Sequence, residues 1–199
     1  MRDVLSIHEI LRTLECESTY AGTPCTLVRL AGCDLECAWC DSRAVNLRPG
    51  RLMKLEDVAA EVRDLGTELV EISGGEPLLQ RDTPKLARLL ADQGHRVIVD
   101  TSGSCDISEL PAPILRLMDL KCPSSNMSHR MNWYNLAHLR ETDEVKFVIA
   151  DRADYEYARE IIEKHGLSGR CTLLMTPVWN KLNAADLADW VLWDDLRAR

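Results

Sequence analysis

No run of apolar residues in this 199-residue sequence approaches the roughly 20 that cross a membrane. The N-terminal stretch MRDVLSIHEILRTLECES lacks the apolar core and cleavage site of a secretory signal. Both absences predict a cytoplasmic protein without a membrane partner. Lys and Arg are not clustered either. The net charge of −8 is spread over interspersed acids and bases, which leaves no footprint for nucleic acid. Repeats, low-complexity tracts and linkers are missing, so one domain over 1–199, long enough to bury a substantial core, is the simplest organisation. There are only five His, none in the H-x3–5-H pairing of a zinc site.

Cysteine, by contrast, is abundant. Eight in a reducing compartment read as thiols or metal ligands rather than a disulfide framework. Cys16, Cys25, Cys105, Cys122 and Cys171 are scattered, and the default for each is a small buried hydrophobe. Cys33, Cys37 and Cys40 instead fall together in AGCDLECAWCDS (31–42), spaced C-x3-C-x2-C.

Around them, strand-like and helix-like segments alternate. Short, bounded, partly β-branched runs predict strands at 26–32, 68–73, 96–101, 115–121, 144–150 and 171–177. Helical spacing of apolar residues predicts helices at 55–66, 84–94, 153–166 and 184–196, with a shorter one at 132–139. Six alternations argue for an α/β fold with a largely parallel sheet, helices outside it, wound by right-handed crossovers into a barrel or partial barrel. In such a fold chemistry gathers in the loops at the C-terminal strand ends. The cysteines, Gly74-Gly75, 101–103, 121–123 and Thr176-Pro177 all follow a strand.

Three clustered thiols with no fourth suit a 4Fe–4S cluster with one iron left open for a small chelating ligand. Structural zinc with a distant fourth ligand is the alternative. The glycines of EISGGEP (71–77) let backbone approach a ligand, and Glu76 with exposed N–H groups would suit an amino-acid zwitterion; a plain tight turn is the competing account. The cysteine spacing, with Trp39 just before the last thiol, resembles that of radical S-adenosylmethionine (SAM) enzymes, in which GGE contacts the methionine end of SAM.

Longer stretches narrow the resemblance. STYAGTPCTLVRLAGCDLECAWCDS (18–42), VEISGGEPLLQ (70–80), VIVDTSGS (97–104), MDLKCPSS (118–125), DEVKFVIADRADYEYA (143–158) and TPV (176–178) are similar, in order, to the 7-carboxy-7-deazaguanine synthases of queuosine-precursor (deazapurine) biosynthesis. The resemblance implies a partial (β/α)6-type radical SAM barrel. It further implies rearrangement of 6-carboxy-5,6,7,8-tetrahydropterin to 7-carboxy-7-deazaguanine with loss of ammonia, a 5′-deoxyadenosyl radical removing hydrogen from the substrate and SAM being regenerated. An electron donor such as flavodoxin or ferredoxin, and a homodimer, come with it.

By the same resemblance, Cys33, Cys37 and Cys40 hold the cluster, Ser42 of Cys40-Asp41-Ser42 takes the place of a Thr that binds Mg2+, and Arg29 anchors the substrate carboxylate. Ser73 meets the substrate. Trp39, Gly75, Ser102 at the ribose, and the turn Cys122, Pro123 and Ser124 meet the cofactor. Bottom-up, an Arg in an apolar strand equally suits a pair with a neighbouring acid, and Lys121 and Lys146, if buried, must pair, with Asp119 or Glu144. Two departures stand out. The family's L-Q-G-E substrate loop reads Leu14, Glu15, Cys16, Glu17 here, and the final DDLRAR (194–199) stands where relatives continue into a short strand with Q-L-H-K, so that strand is expected to be missing. Two other readings share the cysteine motif: an activator of glycyl-radical enzymes, and a catalytically impaired relative that keeps its cluster.

Overall fold

The computed structural model describes residues 3–43 and 48–199. Its centre is a sheet of eight strands in the order β3-β1-β2-β4-β5-β6-β7-β8. The strands are β1 (Val4–Leu14), β2 (Pro24–Leu30), β3 (Arg51–Lys54), β4 (Leu69–Gly74), β5 (Arg96–Thr101), β6 (Leu115–Asp119), β7 (Glu144–Ile149) and β8 (Thr172–Pro177). From β2 through β8 all neighbours are parallel, which yields the six-stranded partial barrel expected. β1 and β3 extend it antiparallel at one edge.

Helices α1 (Leu55–Leu65), α2 (Thr83–Asp92), α3 (Arg152–Lys164) and α4 (Ala184–Trp193) cover the outer face. Three of them carry recognisable start or stop signals. Acidic Glu56 and Asp57 occupy the first turn of α1, and Gly66 closes it at φ 66° with its N–H on Arg63 O. Asp151 and Asn183 cap α3 and α4 by accepting from the N–H groups of Asp154 and Ala185. The segment 132–139 forms a 3-10 helix, Trp133–His138, rather than an α-helix, and Asn132 caps it.

Apolar side chains sort into two layers outside the sheet and one within it. α1 and α2 bury Val58, Val62, Leu86 and Leu90 against Val28, Ile72 and Val99. α3 buries Tyr155, Ala158 and Ile162 against Val145, Phe147 and Ile149. Inside the curl, Cys25, Leu69, Ile98, Leu117 and Leu174, one from each of five parallel strands, form an apolar plug. Above the plug the interior turns polar, and that change creates the cavity described below.

The chain's final residue lies on the free edge of β8: Arg199 N–H donates to Leu173 O at 2.9 Å, and Met175 N–H donates to Arg199 O at 2.7 Å. The backbone thus pairs where a further strand would add. Among the described residues, no helix is long and apolar enough to cross a membrane. All eight cysteines are free thiols. Of the scattered five, only Cys25 and Cys122 are buried; Cys105 and Cys171 are half-buried and Cys16 is exposed, so burial does not account for every one.

Candidate active site

Side chains alternate along a strand, so residues two apart share a face. On the inner face this alternation stacks rows upward from the apolar plug. Leu27, Glu71, Asp100, Asp119 and Lys146 form a polar floor, and Arg29, Ser73, Val148 and Thr176 form the row above it. The rows enclose a cavity of about 660 Å³ that opens at the C-terminal strand ends.

Cys33, Cys37 and Cys40 line this cavity together with Trp39, Asp41 and Ser42. Their loop is held at several points. Leu35 is buried in the core that contains Ile107 and Met118, and its N–H points at Cys33 Sγ at 3.4 Å. Asp34 accepts from Ser104 Oγ at 2.9 Å and pairs with Arg130 at 3.2 Å. Ala38 N–H donates to Ser125 O at 3.0 Å. Burial pushes the Cys33 thiol up to about 11 and raises Cys37. No three His, Cys, Asp or Glu side chains converge on a point as a single ion would need, among the described residues. Three thiols spread along one wall fit a polynuclear cluster, whose irons lie apart.

The glycine turn follows β4. Gly74 has φ 135°, and a Cβ there would run into the Leu30 backbone, so this close approach admits only glycine. Gly75 lines the cavity, and Ser42 Oγ lies 3.5 Å from Gly74 O and 3.6 Å from Cys40 Sγ. Glu76 does not face the cavity, contrary to the expectation that it serves a zwitterion. It is fully buried and accepts from Leu78 N–H, Thr101 Oγ1, and both N–H and Oγ of Ser102. Burial raises its carboxyl and these donors oppose the rise. Glu76 is a clamp between the turn and β5.

Arg29 reaches the cavity from β2, and its Nε lies 2.8 Å from Glu9 Oε1 on the paired strand β1. The approach is off the N–H axis, so this is an ion pair without a hydrogen bond. Arg29 thus pairs with a neighbouring acid and also faces the cavity. Ser73 Oγ donates to Asp100 Oδ2 at 3.2 Å. Lys181 Nζ stands 5.7 Å from the centre of the Trp39 ring, a cation–π contact at the rim.

Leu14 and Cys16 sit on the cavity wall, but Glu15 does not. Its side chain is buried and folds back, Oε1 accepting from the N–H groups of Glu17 and Ser18. Cys122, Pro123 and Ser124 are likewise absent from the lining. Cys122 is buried, and Ser124 binds Asp154 through N–H and Oγ. This turn therefore supports the cysteine loop from behind, through Ser125 O.

Sequence reasoning anticipated Lys121 and Lys146 paired with Asp119 but missed the rest of the floor, Glu17, Glu71 and Asp100. Lys146, 3% exposed, pairs with Glu17, with Asp119 at 3.4 Å and with Asp100 at 3.6 Å. Lys121 pairs with Asp119. Glu144 does not take part; it accepts from Thr19 N–H and Oγ1. Burial pulls the Lys146 ammonium down, but Asp100, Asp119 and Glu17 outweigh it and hold it well above its ordinary value. Asp100 is pushed up to about 7 by burial, opposed by Lys146. Glu71 is pushed up to about 8, by burial first and then by Asp100, Glu15 and Glu17. The available signal was a charged residue flanked by apolar ones within a strand, as in VEIS, VIVDT and EVKFV.

The sequence matches the Radical SAM superfamily over residues 27–193. The 7-carboxy-7-deazaguanine synthase of Koribacter versatilis (strain Ellin345) is 41% identical over 211 residues, covering 98% of this chain and 92% of that protein. The enzyme of the same name from Chlorobaculum tepidum is 36% identical over 198 residues, covering 98% and 90%. The crystal structure of QueE from Escherichia coli superposes with a TM-score of 0.79 at 21% identity, covering 98% of this chain and 92% of that one, and so shares the fold. These relationships favour the synthase reading over the glycyl-radical activator and the impaired relative.

Proposed function

The chain belongs to the radical SAM superfamily and, within it, to the 7-carboxy-7-deazaguanine synthases, and from that premise we propose that it converts 6-carboxy-5,6,7,8-tetrahydropterin to 7-carboxy-7-deazaguanine with loss of ammonia. It is a radical SAM lyase of deazapurine biosynthesis. The observation that carries the substrate assignment is one cavity with three thiols and a glycine turn on one side and a guanidinium over a polar floor on the other.

Cys33, Cys37 and Cys40 would hold three irons of a 4Fe–4S cluster, and SAM would complete the fourth, its methionine end along Gly75 and its ribose at Ser102. When bound, cluster and cofactor together supply the one-electron chemistry of the reaction. The chain's own part is positioning. Arg29 offers a fork to the substrate carboxylate, already oriented by Glu9. Ser73, fixed by Asp100, presents its hydroxyl to the same space. Lys121 and Lys146 keep Asp119 ionised against burial. The apolar plug below closes the base of the cavity.

Ser42 would supply one oxygen to Mg2+, the rest coming from substrate and water, as this cation prefers. Leu14 and Cys16 would contact the substrate from the rim, while Glu15, Cys122, Pro123 and Ser124 would act through the loops they hold. Residues 1–199 work as one core domain in a cytoplasmic homodimer, reduced by a flavodoxin or ferredoxin. The test is anaerobic reconstitution with reductant, SAM, Mg2+ and carboxytetrahydropterin. The deazaguanine product should appear by mass spectrometry and vanish when SAM or reductant is omitted; its absence from the complete mixture overturns the assignment.

A further inference from the structure

Glu71, in the middle of β4, is a buried carboxyl that the account above does not use. It is 8% exposed, lines the cavity, and makes no hydrogen bond or ion pair among the described residues, and its carboxylate oxygens are open to the cavity rather than sealed in the core. Its neighbours do not compensate it. In the sheet it stands between Leu27 and Ile98. The floor's one close ammonium, Lys146, is engaged by Glu17, Asp100 and Asp119. A largely buried carboxyl that faces only an open cavity costs the fold more than a Leu, which would extend the apolar plug. Residues that break a local rule in this way mark functional sites.

Position indicates what Glu71 would meet. Register pairs Arg29 with Ser73 and Leu27 with Glu71. Glu71 therefore lies one row below Arg29, about 6.6 Å along the strand direction. A fused two-ring substrate whose carboxylate sits at Arg29 spans a comparable distance, which brings its far ring to the Glu71 row. In a pterin that ring carries an exocyclic amine and a ring N–H beside a carbonyl, an array rich in donors.

We propose that Glu71 contacts the amino-pyrimidinone ring of the substrate, opposite the carboxylate held by Arg29, and sets the preference for a ring bearing the exocyclic amine. This rests on the pterin reading of the site. A carboxyl suits either state of such a ring, accepting from the amine and ring N–H when ionised and donating to the carbonyl when protonated. Loss of the contact leaves the ring's donors unpaired in a desolvated pocket, which weakens discrimination more than it weakens folding.

The experiment compares the reconstituted wild type with Glu71→Leu and Glu71→Gln, using carboxytetrahydropterin and its analogue with the exocyclic amine replaced by oxygen. In Glu71→Leu the KM for the pterin should rise about tenfold or more, and the amine-over-oxo preference should fall by a similar factor. Its kcat should change less than about threefold, with SAM affinity and cluster absorbance preserved. Glu71→Gln keeps an acceptor oxygen and should lose at least about threefold of the preference; it decides the question if the Leu variant fails to fold. Both variants within about twofold of wild type in KM and preference would overturn the role of Glu71. A wild type that turns over neither compound would overturn the pterin reading itself, a separate outcome.

Discussion

Ser102 is joined twice to Glu76: its backbone N–H and its hydroxyl both reach Oε2, at 2.6 Å and 2.5 Å. Glu76 N–H donates in turn to Gly32 O at 2.9 Å. One buried residue thus ties the end of β5, the glycine turn and the start of the cysteine loop. Ser102 extends the tie through Ser104 Oγ to Asp34, inside that loop. Glu76→Gln turns an amide against donors that met a carboxylate. It should lower the unfolding free energy by about 2–3 kcal/mol and weaken SAM binding, measured by denaturation and by titration of the reconstituted enzyme.

Cys37→Ala should remove both the brown cluster absorbance and all activity, because it takes away one of the three thiols of the cysteine loop, and Cys16, the fourth thiol on the cavity wall, belongs to a separate segment. Cys171→Ala, a half-buried thiol outside the cavity, should retain both. Absorbance spectra and turnover of the two variants, reconstituted side by side, make the comparison.

Arg29→Ala should raise the KM for the carboxylated substrate by about 10- to 100-fold, the value of a charge-assisted contact. Arg29→Lys should recover little of this, since a point charge does not reproduce the fork. An equal effect on a substrate analogue lacking the carboxylate would contradict the anchor role.

Two acids of the floor make stability depend on pH with an unusual sign. Glu71 and Asp100 are raised to about 8 and about 7, so between the ordinary carboxylate range and those values the folded state binds more protons than the unfolded chain. Stability therefore falls as pH rises from about 5 to 8, by at most about 1.4 kcal/mol per unit for each group. Lys146 is raised, so its contribution is fully present below the unfolded lysine value and is lost only as pH climbs through the folded one. Melting temperatures of the protein across pH 5–8 should decline, and Glu71→Leu should flatten the decline.

The parallel strands were legible because each is a short apolar run closed by Gly, Pro or a polar turn, and α1 to α4 because their apolar residues recur at helical spacing. β1 was not. Ile7, Ile10, Leu11 and Leu14 sit at intervals that suit a helix as well as a strand, and an irregularity between Ile7 and Glu9 breaks the alternation that would mark a strand. β3, four residues long, offers too little pattern to read. In the site, the clustered thiols announce themselves by local spacing. The floor does not: Lys146 meets Glu17, 129 positions away, and only the curl of the sheet brings them together. Glu15 shows the same limit, since its burial follows from a turn closed by Glu17 and Ser18 N–H groups rather than from its own chemistry.

The most direct test of the central claim is the ratio of product formed to SAM consumed by the anaerobically reconstituted enzyme given reductant, Mg2+ and 6-carboxytetrahydropterin. Many equivalents of 7-carboxy-7-deazaguanine, with one ammonia each and no net loss of SAM, are the predicted result. A reconstituted enzyme that binds SAM yet yields no deazaguanine, or consumes SAM only with a protein partner, would contradict it.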